Sequence, residues 1–116
     1  MFDVETRIFR VHGVDRVYQE AIRAYLREKL NAWCASHHQG DDFVARDWLG
    51  GQNRDWHWTP LQKLYNYYMR RNRGEMYAYR EAGKAVGRIL KDVIDQDEHY
   101  LFHIAREFRT VRYRWV

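Results

Sequence analysis

Residues 2–35, FDVETRIFRVHGVDRVYQEAIRAYLREKLNAWCA, change their hydrophobic period at Gly13, and that change decides the fold class. Before it, Phe2, Val4, Thr6 and Ile8 alternate, which places them on one face of a half-buried strand over residues 2–11. After it, Val14, Val17, Tyr18, Ala21, Ile22, Tyr25, Leu26, Leu30 and Trp33 recur every three or four positions. That is the broad apolar stripe of an amphipathic helix running to about Ala35.

The far end of the chain supplies a matching element. Residues 108–116 alternate again and are rich in Val, Thr, Tyr and Trp. Tyr100 to Arg106 fits either strand or helix, and the whole tail reads as one long strand, with room for a bulge, pairing with residues 2–11. Sequence-distant strands joined through a helical middle make an α+β domain. The expected fold is therefore N- and C-terminal strands pairing in a small antiparallel sheet packed against three to four helices.

Asp41 or Asp42 is placed to cap a short helix, Phe43 to Leu49, that Gly50-Gly51 stops. Thr59-Pro60-Leu61-Gln62 is a start signal, with Thr59 as N-cap, Pro60 first in the helix and Gln62 completing a capping box. Leu61, Leu64, Tyr65 and Tyr68 form the buried side of that helix, which ends near Asn72-Arg73-Gly74. A further helix spans Glu75 to Ile94, with Met76, Tyr79, Gly83, Val86, Leu90 and Val93 as its packing seam. No repeat, low-complexity tract or linker interrupts residues 1–116, which read as a single compact domain.

Composition narrows the class. A hydrophobic fraction of 46% excludes a disordered chain although the mean hydropathy is −0.80. Cys34 is the only cysteine, so no intramolecular disulfide forms and a reducing, cytoplasmic setting is expected. No apolar run approaches the roughly 18 residues of a membrane span. The start, Met-Phe-Asp-Val-Glu, lacks the features of a signal peptide.

Charge is unevenly placed. Residues 44–91 carry ten Lys/Arg against four acids, a net of +6, while the other 10 basic and 12 acidic residues net −2. A basic block beside a near-balanced remainder is the electrostatic footprint of an anionic partner. Arg80, Lys84, Arg88 and Lys91 share one face of the last predicted helix, and Arg70, Arg71 and Arg73 in the preceding turn extend it. Like charges four apart cost a few tenths of a kcal/mol per pair, and Glu81 is the only acid inside the stripe. The bland reading is a solvated face relieved by Glu81–Lys84, Arg88–Asp92 and Lys91–Asp95. A helix-turn-helix around Tyr79-Arg-Glu-Ala-Gly83 fits poorly, because Lys84 stands where that motif buries an apolar residue.

Other constellations carry less. Trp48, Trp56 and Trp58 flank a loop in which Asn53, Arg54, Asp55 and His57 lie, and exposed rings there, with Tyr77 further on, could stack on bases or a ligand. The competing reading has Trp48 and at least one of Trp56 and Trp58 anchoring the loop in the core. Cys34, His37, His38, Asp41 and Asp42 crowd together, and His99 and His103 are four apart, yet none stands at a standard zinc spacing. Asp41, Asp42, Asp47 and Asp55 could converge as nuclease carboxylates, although capping explains the first two more simply. No metal, cofactor or catalytic residue is implied.

These residues point to a small basic, non-enzymatic domain that binds nucleic acid, DNA or RNA, through Arg70, Arg71, Arg73, Arg80, Lys84, Arg88 and Lys91. Asn53, Arg54, Trp56, His57 and Tyr77 form the candidate stacking or ligand surface. In size and charge the chain resembles the small basic proteins of mobile elements and phages, although no motif carries that likeness. The alternatives are a structural homodimer associating across its aromatic C-terminal strand or along the helical seam, and a small-molecule binder using the Trp-rich loop.

Overall fold

A computed structural model describes residues 16–49, 56, 59–71, 74–107 and 110–116. Over these residues the chain forms α1 (Arg16–Ala35), β1 (Asp42–Val44), α2 (Ala45–Leu49), α3 (Leu61–Met69), α4 (Glu75–Asp95), β2 (Phe102–Glu107) and β3 (Thr110–Trp115). The three strands make an antiparallel sheet in the order β1-β3-β2. This is the expected α+β class with a helical middle. The strand expected over residues 2–11 lies outside the described residues.

The C-terminal tail departs from the single long strand expected of it. It is two strands: β2 pairs with β3 from Phe102↔Trp115 to Glu107↔Thr110. The sequence between them is Phe108-Arg109, with no Gly, Asn or Pro to interrupt the alternation, so the pattern ran on unbroken. On the other side β3 takes β1, with Phe43↔Tyr113 as the central pair. Phe43 and Val44 therefore belong to a strand, and the short helix starts only at Ala45. Asp41 caps neither element; its carboxylate accepts the His38 backbone N–H at 2.8 Å.

Trp33, near the end of α1, fastens that helix to the sheet. Its indole lies 5.1 Å from Phe43, 6.2 Å from Phe102 and 6.3 Å from Trp115, and stacks on His37 at 4.1 Å. From α1 the row Ile22, Leu26, Leu30 and Cys34 is buried, while Val17 and Tyr18, expected on the stripe, are exposed. Burial, with a smaller contribution from Asp97, pushes the Cys34 thiol up to about 11. Among the described residues, Arg23 is a buried charged side chain of α1, and it reaches Asp92 of α4 at 3.8 Å.

α3 begins at Leu61, one residue later than expected, with Pro60 rather than Thr59 as its N-cap and with different chemistry. The Thr59 hydroxyl accepts the Leu61 N–H at 3.3 Å and donates to the Trp56 carbonyl at 2.7 Å. Gln62 does not close a capping box, because the Thr59 N–H is bound to the Trp56 carbonyl and the Gln62 amide bonds Asn66. Gly74, at φ +95°, turns the chain into α4 from a backbone region that side chains rarely adopt.

α4 packs on α3, α1 and α2. Its buried row is Ala78, Ala82, Ala85, Val86, Ile89, Leu90, Val93 and Ile94. Met76, expected in the seam, is 59% exposed. At 100° per residue the true seam is turned by about 60° from the expected one. The alanines weigh little in a hydropathy pattern, yet their small side chains let a neighbouring helix come close. Among the described residues no helix is long and apolar enough to cross a membrane.

Candidate nucleic-acid interface

Burying the alanine side of α4 fixes what its other side presents. Arg80, Lys84, Arg88 and Lys91 are all exposed, and with half-buried Tyr77 they fall within a sector of about 80° on the helix. α4 is unbroken from Glu75 to Asp95, so the Tyr79–Gly83 stretch makes no helix-turn-helix bend. Arg70 and Arg71 are exposed where α3 ends, a favourable place for cations beside the last carbonyls. Arg73 lies outside the described residues.

The acids close to this row are few and unevenly spread. Glu81 is shared, 3.2 Å from Lys84 and 3.9 Å from Arg80. Lys91 is held at 2.9 Å by Asp95, one turn on. Asp92 turns inward toward Arg23. Glu81 therefore answers Arg80 and Lys84 together, while Lys91 has a carboxylate of its own. From Thr59 to Lys91 the chain has eight Lys/Arg and two acids. One of the eight, Lys63, sits over the Tyr18 ring at 4.3 Å and ties α3 to α1.

Tyrosines surround the α3–α4 corner. Tyr65 and Tyr79, 4.4 Å apart, fill the seam between the two helices. Burial raises the Tyr65 pKa, with Glu75 adding to it. On the outer side Tyr68 meets Tyr67 at 4.9 Å and Tyr77 at 6.4 Å, both edge to face. Arg71 lies over the Tyr67 ring at 4.9 Å and donates to its hydroxyl, which holds the guanidinium pKa above its ordinary value. This Tyr–Arg cluster was missed in the sequence. Its signal was the i, i+4 spacing of Tyr67 and Arg71.

The Trp-loop half of the prediction fares differently. Trp56 is 4% exposed and donates its indole N–H to the Leu49 carbonyl at 3.1 Å, so it offers no face to a base. It serves as an anchor in the core, where Trp48 also packs. Asn53, Arg54 and His57 lie outside the described residues. Among the described residues no three His, Cys, Asp or Glu side chains converge as metal ligands. The crowded group near Cys34 is dispersed instead: the His37 ring bonds the Trp33 carbonyl at 2.8 Å, and Asp42 reaches Arg112 at 3.1 Å. No protein-family model, curated protein or solved structure matches the chain, so its functional reading rests on these residues alone.

Proposed function

We propose that the protein is a small non-enzymatic domain that binds nucleic acid by holding phosphates along the outer face of α4 and at the end of α3. The observation that supports this is the exposed row Arg80, Lys84 and Arg88, in which Arg80 and Lys84 share one half-buried carboxylate, Glu81. A face with no ligand to meet gains nothing from like charges four apart, which repel by a few tenths of a kcal/mol per pair. Arg70 and Arg71 extend the row across the corner, and Arg73 follows them in sequence. Lys91, committed to Asp95, contributes least. Contacts of this kind are to backbone and sugar, and carry no base preference by themselves.

The test is binding of a labelled duplex by the wild type and by the triple variant Arg80→Ala, Lys84→Ala, Arg88→Ala across a salt series. The wild type is expected to bind with log K falling linearly in log salt. The triple variant, with unchanged circular dichroism, should bind more weakly, with a slope shallower by about 2 to 3. Equal binding by the two proteins sinks the proposal. Attention then passes to self-association through Leu101 and Val116, exposed neighbours joined by a backbone hydrogen bond of 2.9 Å.

A further inference from the structure

We infer that the nucleic acid this face takes is single-stranded, with one base stacked on Tyr77 and the backbone running down Arg80, Lys84 and Arg88. The inference rests on the phosphate-binding reading above and adds to it what kind of strand is bound. Tyr77 heads the cation row on the same sector of α4, and Arg88 follows about 16 Å further along the axis. Its ring is half-buried and meets Tyr68 edge to face at 6.4 Å, with an interplanar angle of 81°. Tyr68 is in turn buttressed by Tyr67, which lies under the Arg71 guanidinium. Tyr65 and Tyr79 make a second aromatic contact between α3 and α4. Tyr77 is thus an aromatic supported from behind and set beside phosphate-binding cations.

A paired duplex offers such a ring little, because its base faces are already stacked inside the helix. An unpaired base offers its whole face, and any base will do, since each has a π surface. Exposed Arg70 and Arg71 on the far side of the tyrosines can hold the phosphates that lead into the stack.

The experiment compares oligothymidylate with a duplex of equal length, by fluorescence anisotropy over a salt series. The proteins are the wild type, Tyr77→Leu, Tyr77→Phe and the triple charge variant. The expected result is tighter binding of the single strand by the wild type. Tyr77→Leu should lose roughly 5- to 150-fold on the single strand with an unchanged salt slope. It should leave duplex binding as it was, and Tyr77→Phe, which keeps the ring and the packing, should bind like the wild type. If both nucleic acids bind equally and Tyr77→Leu weakens neither, the single-strand inference is overturned while the phosphate face stands. If the triple charge variant binds as well as the wild type, or no protein binds either probe, both fall together. A Tyr77→Leu loss that falls equally on the duplex also overturns it.

Discussion

Arg23 is a charged side chain inside an apolar interface, 8% exposed, with the 17% exposed Asp92 carboxylate 3.8 Å away. Taking two ions out of water is expensive, so such a pair is a weak source of stability but a costly one to break on one side. Arg23→Ala is expected to destabilise by about 1–3 kcal/mol, read from urea denaturation. Arg23→Met with Asp92→Leu should recover more than half of that loss. A single variant as stable as the wild type would contradict the structural role given to the pair. Cys34 and Tyr113 offer a second residue-scale expectation. Burial lifts the Cys34 thiol from 9.0 to about 11 and the Tyr113 phenol from 10.0 to about 12. Both groups are largely neutral well below pH 9, folded or unfolded, so their stabilising effect is nearly complete there. As pH rises from 9 to 12 the unfolded chain releases protons that the folded chain retains, and stability falls. The urea midpoint should hold steady to about pH 8.5 and then decline. Cys34 should resist iodoacetamide at pH 8 until the protein unfolds; rapid alkylation of the native protein would contradict its placement.

At the scale of elements, α4 contains a local cost with no packing reason visible in the described residues. A Cβ added at Gly83 or Gly87 would meet nothing within 4 Å, and neither glycine has a positive φ. Glycine in a helix interior is less stable than alanine by roughly 0.5–1 kcal/mol. Gly83→Ala and Gly87→Ala should therefore each stabilise by about that amount and raise Tm by several degrees; a loss of stability would mean that something packs there. The same helix shows what the sequence could and could not disclose. Its bounds were legible because apolar residues recur at three and four over some twenty positions, and the outward row of cations was legible with them. Its seam was misjudged because alanines bury by being small rather than hydrophobic. The β2–β3 hairpin was hidden because Phe108-Arg109 continues an alternating pattern where a Gly or Asn would have marked a turn. Trp56 could not be placed from the sequence at all, since a loop tryptophan looks the same whether it anchors or binds. Its bond to the Leu49 carbonyl decides the matter.

At the scale of the whole molecule, charge is unevenly distributed along the sequence. On the sheet, Arg112 is clamped between Glu107 at 2.7 Å and Asp42 at 3.1 Å, so a cation there is matched by two acids. From Thr59 to Lys91 the sequence has eight Lys/Arg against two acids, and Arg70, Arg71, Arg80, Lys84, Arg88 and Lys91 among them are exposed. Under the proposed function, such an asymmetry would draw a polyanion to this side of the protein and orient it before contact. Salt should weaken that encounter, since the charges involved are exposed and screened within about 10 Å at 0.1 M. The measurement that tests this most directly is an amide chemical-shift titration of the labelled protein with oligothymidylate at low salt. The account predicts shifts concentrated on Arg70, Arg71 and the Tyr77–Arg88 face of α4, with Arg112 and Arg114 on the sheet unmoved. Shifts centred on the sheet and absent from α4 would contradict it.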